Sequence, residues 1–277
     1  MKAHTGGVKI DPEVRKQITR AVFNAAAERF DDPSLSFWDV CGRRTVELAG
    51  IRPGDRVLDV CCGTGSSALP AAEAVGAAGS VLGVDFAERL LERGRAKAKE
   101  RGLGNVTFQT GDMTALDVED GSFDAVVCVF GVFFVEDMAA AMRELWRSVR
   151  PGGLLAITTW GRWVFEPANS VYWDAVGRER PDLRQTPPWQ RIVEPPGLRR
   201  LHADAGTTAP DIVVEPFDHH IETEEFWTIV LGSGYRGPIE AMGPEAADRV
   251  RDEVMGRLRS DSVRVLSSEV MYSQARK

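Results

Sequence analysis

Five short apolar runs punctuate the first 160 positions: Val57 to Val60, Val81 to Val84, Val106 to Phe108, Ala125 to Val129 and Leu154 to Thr158. Each is largely unbroken, and helix-length segments separate them. That is the pattern of parallel strands buried on both faces by crossing helices. In the segments between, Leu90, Leu91, Gly94 and Ala98 share one helical face, and Met138, Met142, Leu145, Trp146 and Val149 share another, so both helices are predicted to pack on a sheet. Pro151, Gly152 and Gly153 are expected to end the later helix and turn the chain into the fifth strand. The fold class is α/β.

Two regions break this alternation. Residues 1–48 read as a mostly helical lid with an aromatic knot running from Phe30 through Phe37 and Trp38. Residues 161 to about 210 are rich in Pro and Trp with few strand signals, and read as an inserted substrate cap within a main domain of residues 49–277. A sixth strand is expected near Ile212 to Pro216, then a helical segment carrying Trp227, then a last strand near Ser268 to Ala275.

The size suits one domain with an appended cap: 277 residues against roughly 100–200 per domain. The longest apolar run, Ala125 to Val135, falls far short of the ~20 residues that cross a membrane, and the first residues lack the apolar stretch of a signal peptide. A cytoplasmic location is therefore expected. A net charge of −7 argues against nucleic acid and anionic lipid as partners and leaves a small molecule as the expected one. Whether the chain is a monomer or a homodimer is left open. The four cysteines, Cys41, Cys61, Cys62 and Cys128, have no CxxC spacing and no neighbouring histidine, so neither a metal site nor a disulfide framework is expected.

The most informative segment is Val57-Leu58-Asp59-Val60-Cys61-Cys62-Gly63-Thr64-Gly65. A strand enters a helix through a glycine turn, and glycines let backbone N–H groups approach a ligand closely. Gly63, Gly65 and Ala68 also satisfy the dinucleotide pattern GxGxxG/A, with Asp85 about 20 residues on to accept from ribose hydroxyls. An NAD(P)-dependent oxidoreductase and a non-catalytic nucleotide-binding protein are thus alternatives. Against the first, Asp59 would repel a diphosphate and suits a cationic or amino-bearing group. No Tyr is followed four residues later by Lys: those positions after Tyr172, Tyr235 and Tyr272 are Val176, Ile239 and Arg276. Gly111-Asp112-Met113 then offers a carboxylate to an exocyclic amine and a thioether to a ring face.

In order, VLDVCCGTG, VLGVDF, GDM, FDAVVC and RPGG resemble the class I S-adenosylmethionine-dependent methyltransferases of the ubiquinone/menaquinone-methyltransferase-like group, also called methyltransferase type 11, over about Ile51 to Trp160. The resemblance implies a Rossmann-like, seven-stranded, mostly parallel sheet sandwiched by helices, with a final antiparallel strand. It also implies S-adenosyl-L-methionine as methyl donor and S-adenosyl-L-homocysteine as product. By the same resemblance the donor is contacted by Asp59, Cys61, Gly63, Gly65, Asp85, Phe86, Asp112, Met113 and Phe130. Many family members carry a His-His pair after the fourth strand, where this chain has Phe133-Phe134, which implies an apolar substrate wall.

Methyl transfer from a sulfonium needs alignment and exclusion of water more than catalytic side chains. Aromatic rings suit such a pocket because their faces attract the cationic donor. Phe30, Trp38, Phe134, Trp160, Trp173, Trp227, Tyr235 and Arg236 are the candidate substrate-binding residues. The acceptor is expected to be an aromatic or polyketide-like metabolite methylated at O, N or C. If a general base is used, His219 and His220 are the candidates, since they follow the sixth strand. His202 is expected on a solvated helix face, and Cys61 and Cys62 as inert spacers.

Overall fold

The computed structural model describes residues 11–184 and 188–277. Seven strands form one sheet: β1 (Arg56–Val60), β2 (Ser80–Asp85), β3 (Val106–Thr110), β4 (Phe123–Val129), β5 (Val149–Trp160), β6 (Asp211–His220) and β7 (Val265–Arg276). Their order is β3-β2-β1-β4-β5-β7-β6. The first five pair in parallel, and β7 runs antiparallel to both β5 and β6. Each strand expected from the hydrophobic pattern is present, with wider bounds.

The start of β5 differs from expectation. Helix α5 (Met138–Ser148) stops one residue before the strand begins, and Pro151, Gly152 and Gly153 lie inside β5. Val149 pairs with Phe123 while Leu154 pairs with Ala125, so the extra residues are taken up as a bulge. Gly152, at φ 79°, supplies the left-handed residue this requires.

Alternation along the strands divides the core in two. On one face Val57, Ala125, Val127, Leu154 and Ala156 pack with α3 (Ala68–Val75) and α4 (Glu88–Glu100). On the other, Leu58, Val126, Cys128, Leu155 and Ile157 pack with α5, α6 (Ala168–Glu179) and α10 (Pro244–Ser260). The chain before β1 forms α1 (Pro12–Ala26), capped by Asp11, and α2 (Phe37–Ala49). Gly42 lets α2 lie directly on the turn after β1, because a Cβ there would sit 2.3 Å from the carbonyl oxygen of Ser66.

Beyond β5 come α6 and α7 (Pro195–Asp204), then, after β6, α8 (Glu225–Leu231) and α9 (Arg236–Met242). His202 corrects the sequence reading. It is fully buried, with Nδ1 2.8 Å from Thr207 Oγ1 and Nε2 3.0 Å from Ser273 Oγ, tying α7 to β7. Burial pushes its imidazole down to about 4.

Candidate functional site

The carboxyl ends of the parallel strands are where open α/β sheets place their ligands. Here β1 ends at Val60 and the chain turns through Cys61, Gly63 and Gly65, all with positive φ, into α3. The turn is held by the end of β2. Gly63 N–H donates to Asp85 Oδ2 at 3.0 Å and Ala87 N–H donates to Oδ1 at 2.9 Å. Burial raises the Asp85 carboxyl above its ordinary range, while these backbone donors oppose that shift. Each of its oxygens retains a further lone pair for a ligand hydroxyl.

Asp59 departs from its expected role. It is fully buried beneath the turn and is not part of the cavity wall. Ser67 Oγ donates to its Oδ2 at 2.7 Å, whereas Oδ1 has no partner. Burial, reinforced by the nearby charge of Asp85, pushes its carboxyl up to about 7. A group so placed braces the start of α3 and does not present a charge to a ligand. Gly65 is likewise off the wall, pressed against Leu69 and Phe108.

A cavity of about 950 Å³ opens at this edge. Cys61, Gly63, Asp85, Phe86, Asp112, Met113 and Phe130 line one end. Asp112, after β3, accepts from Thr114 N–H and Oγ on Oδ1, and from Lys16 of α1 on Oδ2 at 2.6 Å. Burial would raise the Asp112 carboxyl, but Lys16 and Thr114 outweigh it and hold the group below its usual range. The Cys61 thiol sits beside Cys128, and that contact together with burial holds it well above its normal value, so it keeps its proton.

The other end is aromatic. Trp38, Phe134, Trp160, Trp173 and Tyr235 line the cavity there, and Phe30 lines it beside the glycine turn, against Gly63. The Phe130 ring stacks on Trp160 with centroids 4.0 Å apart, and Trp38 meets Phe130 edge-on at 5.5 Å, so rings run continuously between the two ends. Among the described residues, four non-glycines have positive φ: Cys61, Phe130, Phe165 and Ser262. Three of these line the cavity, and such backbone strain concentrates at functional sites.

Four candidates fall elsewhere. Trp227 and Arg236 are not on the cavity wall, and Arg236 bonds Glu240 at 2.5 Å and the carbonyl of Leu231 at 3.1 Å. His219 bonds the carbonyl of Ser34 at 2.7 Å with its ring edge against Phe37, and His220 is exposed. Both histidines lie on β6, the outermost strand, which ends at the same edge as the parallel strands but is separated from β5 by β7, and neither lines the cavity. His4 lies outside the described residues. Sequence reasoning in turn missed Lys16, Phe23, Phe165 and Trp189, which line the cavity along with Phe133. Phe133 was legible as the neighbour of Phe134. The others carry no local signal, because chain packing alone brings them there.

The residues present fit an adenosyl sulfonium. Asp85 has lone pairs for ribose hydroxyls, Phe86 and Met113 offer flat or polarizable surface to a base, and aromatic faces favour a cation. The volume lies near the top of the ~300–1,000 Å³ range of small-molecule pockets, with room for donor and acceptor together.

Residues 12–174 match the family described as the ubiE/COQ5 methyltransferase family. A demethylmenaquinone methyltransferase of Staphylococcus aureus is 37% identical over 149 residues, which are 52% of this chain and 61% of that protein. The chain thus spans about three fifths of the length of that curated relative. Among solved structures, the YcgJ protein from Bacillus subtilis superposes with a TM-score of 0.58 at 19% identity, covering 86% of this chain and 98% of that one. A SAM-dependent methyltransferase from Aquifex aeolicus gives 0.50 at 22% identity, covering 75% and 91%. These two likenesses show the fold, a Rossmann-like, mostly parallel sheet flanked by helices.

Proposed function

Because the chain belongs to the ubiE/COQ5 methyltransferase family, we propose that it transfers a methyl group from S-adenosyl-L-methionine to a bulky, apolar, ring-bearing small molecule. The observation that carries this is the single cavity joining Asp85, Asp112 and the glycine turn to an aromatic chamber. When bound, the donor supplies a methyl group already activated on a sulfonium. Asp85 would hold the ribose, Phe86 and Met113 the base, and Asp112 its exocyclic amine, while Cys61 and Gly63 would border the methionyl part.

The chamber orients the acceptor and excludes water, which is where catalysis of an in-line displacement comes from. Among the described residues, the cavity wall holds no histidine, and its groups able to take a proton are carboxylates such as Glu136 and Asp137. Tyr235 and Cys61 hold their protons well above neutral pH, and His202 and His219 are engaged elsewhere. Because carboxylates are weak bases, the reading favours an acceptor atom that is nucleophilic by itself: a phenolate, a stabilised enolate or an amine lone pair.

The relatives' name mentions demethylmenaquinone, and a fused-ring acceptor of that kind suits the aromatic wall. However, Leu183, Trp189 and Tyr235 lie beyond the residues matched to the family, so part of the acceptor end falls outside that match. The test is transfer of labelled methyl from S-adenosylmethionine to a panel of hydroxylated naphthalenes and reduced naphthoquinones. Label in an acceptor, with one S-adenosylhomocysteine formed per methyl moved, is expected, and turnover should rise across the panel as acceptor pKa falls toward neutrality. Absence of transfer to every ring acceptor, with transfer to a small hydrophilic amine instead, would contradict the acceptor class.

A further inference from the structure

Thr64 is the central residue of the glycine turn Gly63-Thr64-Gly65, yet it is 1% exposed and does not line the cavity. Its hydroxyl turns instead toward the segment between α1 and α2, donating to Asp31 Oδ1 at 2.6 Å. Lys97 of α4 donates to the same Oδ1 at 2.8 Å and approaches Thr64 Oγ1 at 3.2 Å. Arg93 Nε donates to Asp31 Oδ2 at 2.7 Å. Burial opposes ionisation of Asp31, but Lys97, Thr64 and Arg93 outweigh it and hold the carboxyl below its ordinary range, so it is an anion at neutral pH.

The preceding residue acts on the same turn. The Phe30 ring lies against Gly63, so close that a Cβ on Gly63 would meet its Cε1 at 3.4 Å. Phe30 is in turn fixed by parallel stacking on Trp38, 5.5 Å between centroids and 4° between planes. Gly63 is thus covered by Phe30 and bonded through its N–H by Asp85, while Thr64 is tied to a carboxylate braced by two cations.

We propose that Asp31 is a positioning residue for donor binding: through Thr64 it fixes the glycine turn, and with Phe30 it makes the segment before α2 a working part of the donor site. Asp31 itself touches no ligand. The physical basis is that a turn with two positive-φ glycines is soft, and its backbone N–H groups bind well only when held in one arrangement before the ligand arrives. The inference rests on the donor reading above.

The test is calorimetric titration of the full chain with S-adenosylhomocysteine, alongside 1-naphthol as a probe of the aromatic chamber and a thermal melt. Thr64→Val, which removes the hydroxyl and keeps the shape, is expected to weaken S-adenosylhomocysteine about tenfold, as for a lost charge-assisted hydrogen bond. Thr64→Ser should restore affinity to about wild type, and Asp31→Asn should weaken it similarly. Asp31→Asn combined with Thr64→Val should cost little more than either alone, since one contact is being removed twice. Naphthol affinity should move by less than about twofold, which a merely structural loss would not spare. Unchanged S-adenosylhomocysteine affinity in Thr64→Val, or parallel loss of both ligands with the melting temperature, would overturn the proposal. Failure of the wild-type chain to bind S-adenosylhomocysteine would instead overturn the donor reading.

Discussion

The two ends of the cavity are built in opposite ways. At the proposed donor end, backbone geometry does the work: a glycine turn at the end of β1, a carboxylate at the end of β2 holding that turn by its N–H, and a second carboxylate after β3. At the proposed acceptor end, side chains from α1, the segments after β4 and β5, Leu183, Trp189 and the turn before α9 meet as a ring-lined wall. Geometry imposed by φ and hydrogen bonds tolerates few residue types. A wall of apolar rings tolerates many, and so can be remodelled for a new acceptor while the donor end stays fixed.

Four perturbations sharpen this contrast. The largest effect is expected from the buried support of the turn. Burial pushes the Asp59 carboxyl up to about 7 in the folded protein, against roughly 3.9 in an unfolded chain. The folded protein therefore keeps a proton that the unfolded chain gives up, and stability falls as pH rises from about 4 through 7, then levels off. Over that window wild type should lose on the order of 3 kcal/mol relative to Asp59→Asn, read from denaturant melts at pH 5 and 8. Equal slopes for the two proteins would show that Asp59 ionises freely and that its place under the turn is misjudged.

Next comes Asp85→Ala, which frees the N–H groups of Gly63 and Ala87 as well as removing the proposed ribose partner. Donor affinity should drop by about 1.5–3 kcal/mol, with naphthol binding little changed. Equal losses at both sites would mean the two ends are not separable.

Gly131→Ala probes the seam between them. A Cβ there would lie 2.6 Å from Cys61 Cβ and 2.8 Å from the sulfurs of Cys61 and Cys128. Overpacking of this kind should cost about 1–3 kcal/mol in a urea melt and, by moving Cys61, should weaken the donor too. A variant with wild-type melting and donor affinity would place slack where the structure has none.

The smallest expected effect is at the acceptor wall. Trp173→Ala should raise the acceptor KM roughly tenfold through lost apolar contact while the donor Kd stays within about twofold. A donor effect as large as the acceptor effect would remove Trp173 from the chamber.

The same contrast decides what the sequence made legible. The five parallel strands could be placed because buried parallel strands are written as largely continuous apolar runs, and Gly63, Asp85, Asp112 and Met113 could be placed on the cavity wall because their spacing from strand ends is local. Asp59 misled because strand position alone does not tell whether a side chain meets ligand or lies under the turn; alternation puts it on the face with Val57, away from the cavity. The His219-His220 pair misled because pairing order, with β6 outside β7, is a tertiary fact. Phe23, Phe165 and Trp189 were invisible for a related reason: distant segments converge on one chamber without any shared spacing.

Calorimetric titration of the intact chain with S-adenosylmethionine, and separately with NAD, tests the account most directly. Saturable single-site heat for S-adenosylmethionine, competed by S-adenosylhomocysteine, with no heat for NAD, is the predicted result. Saturable binding of NAD with no response to S-adenosylmethionine would contradict it.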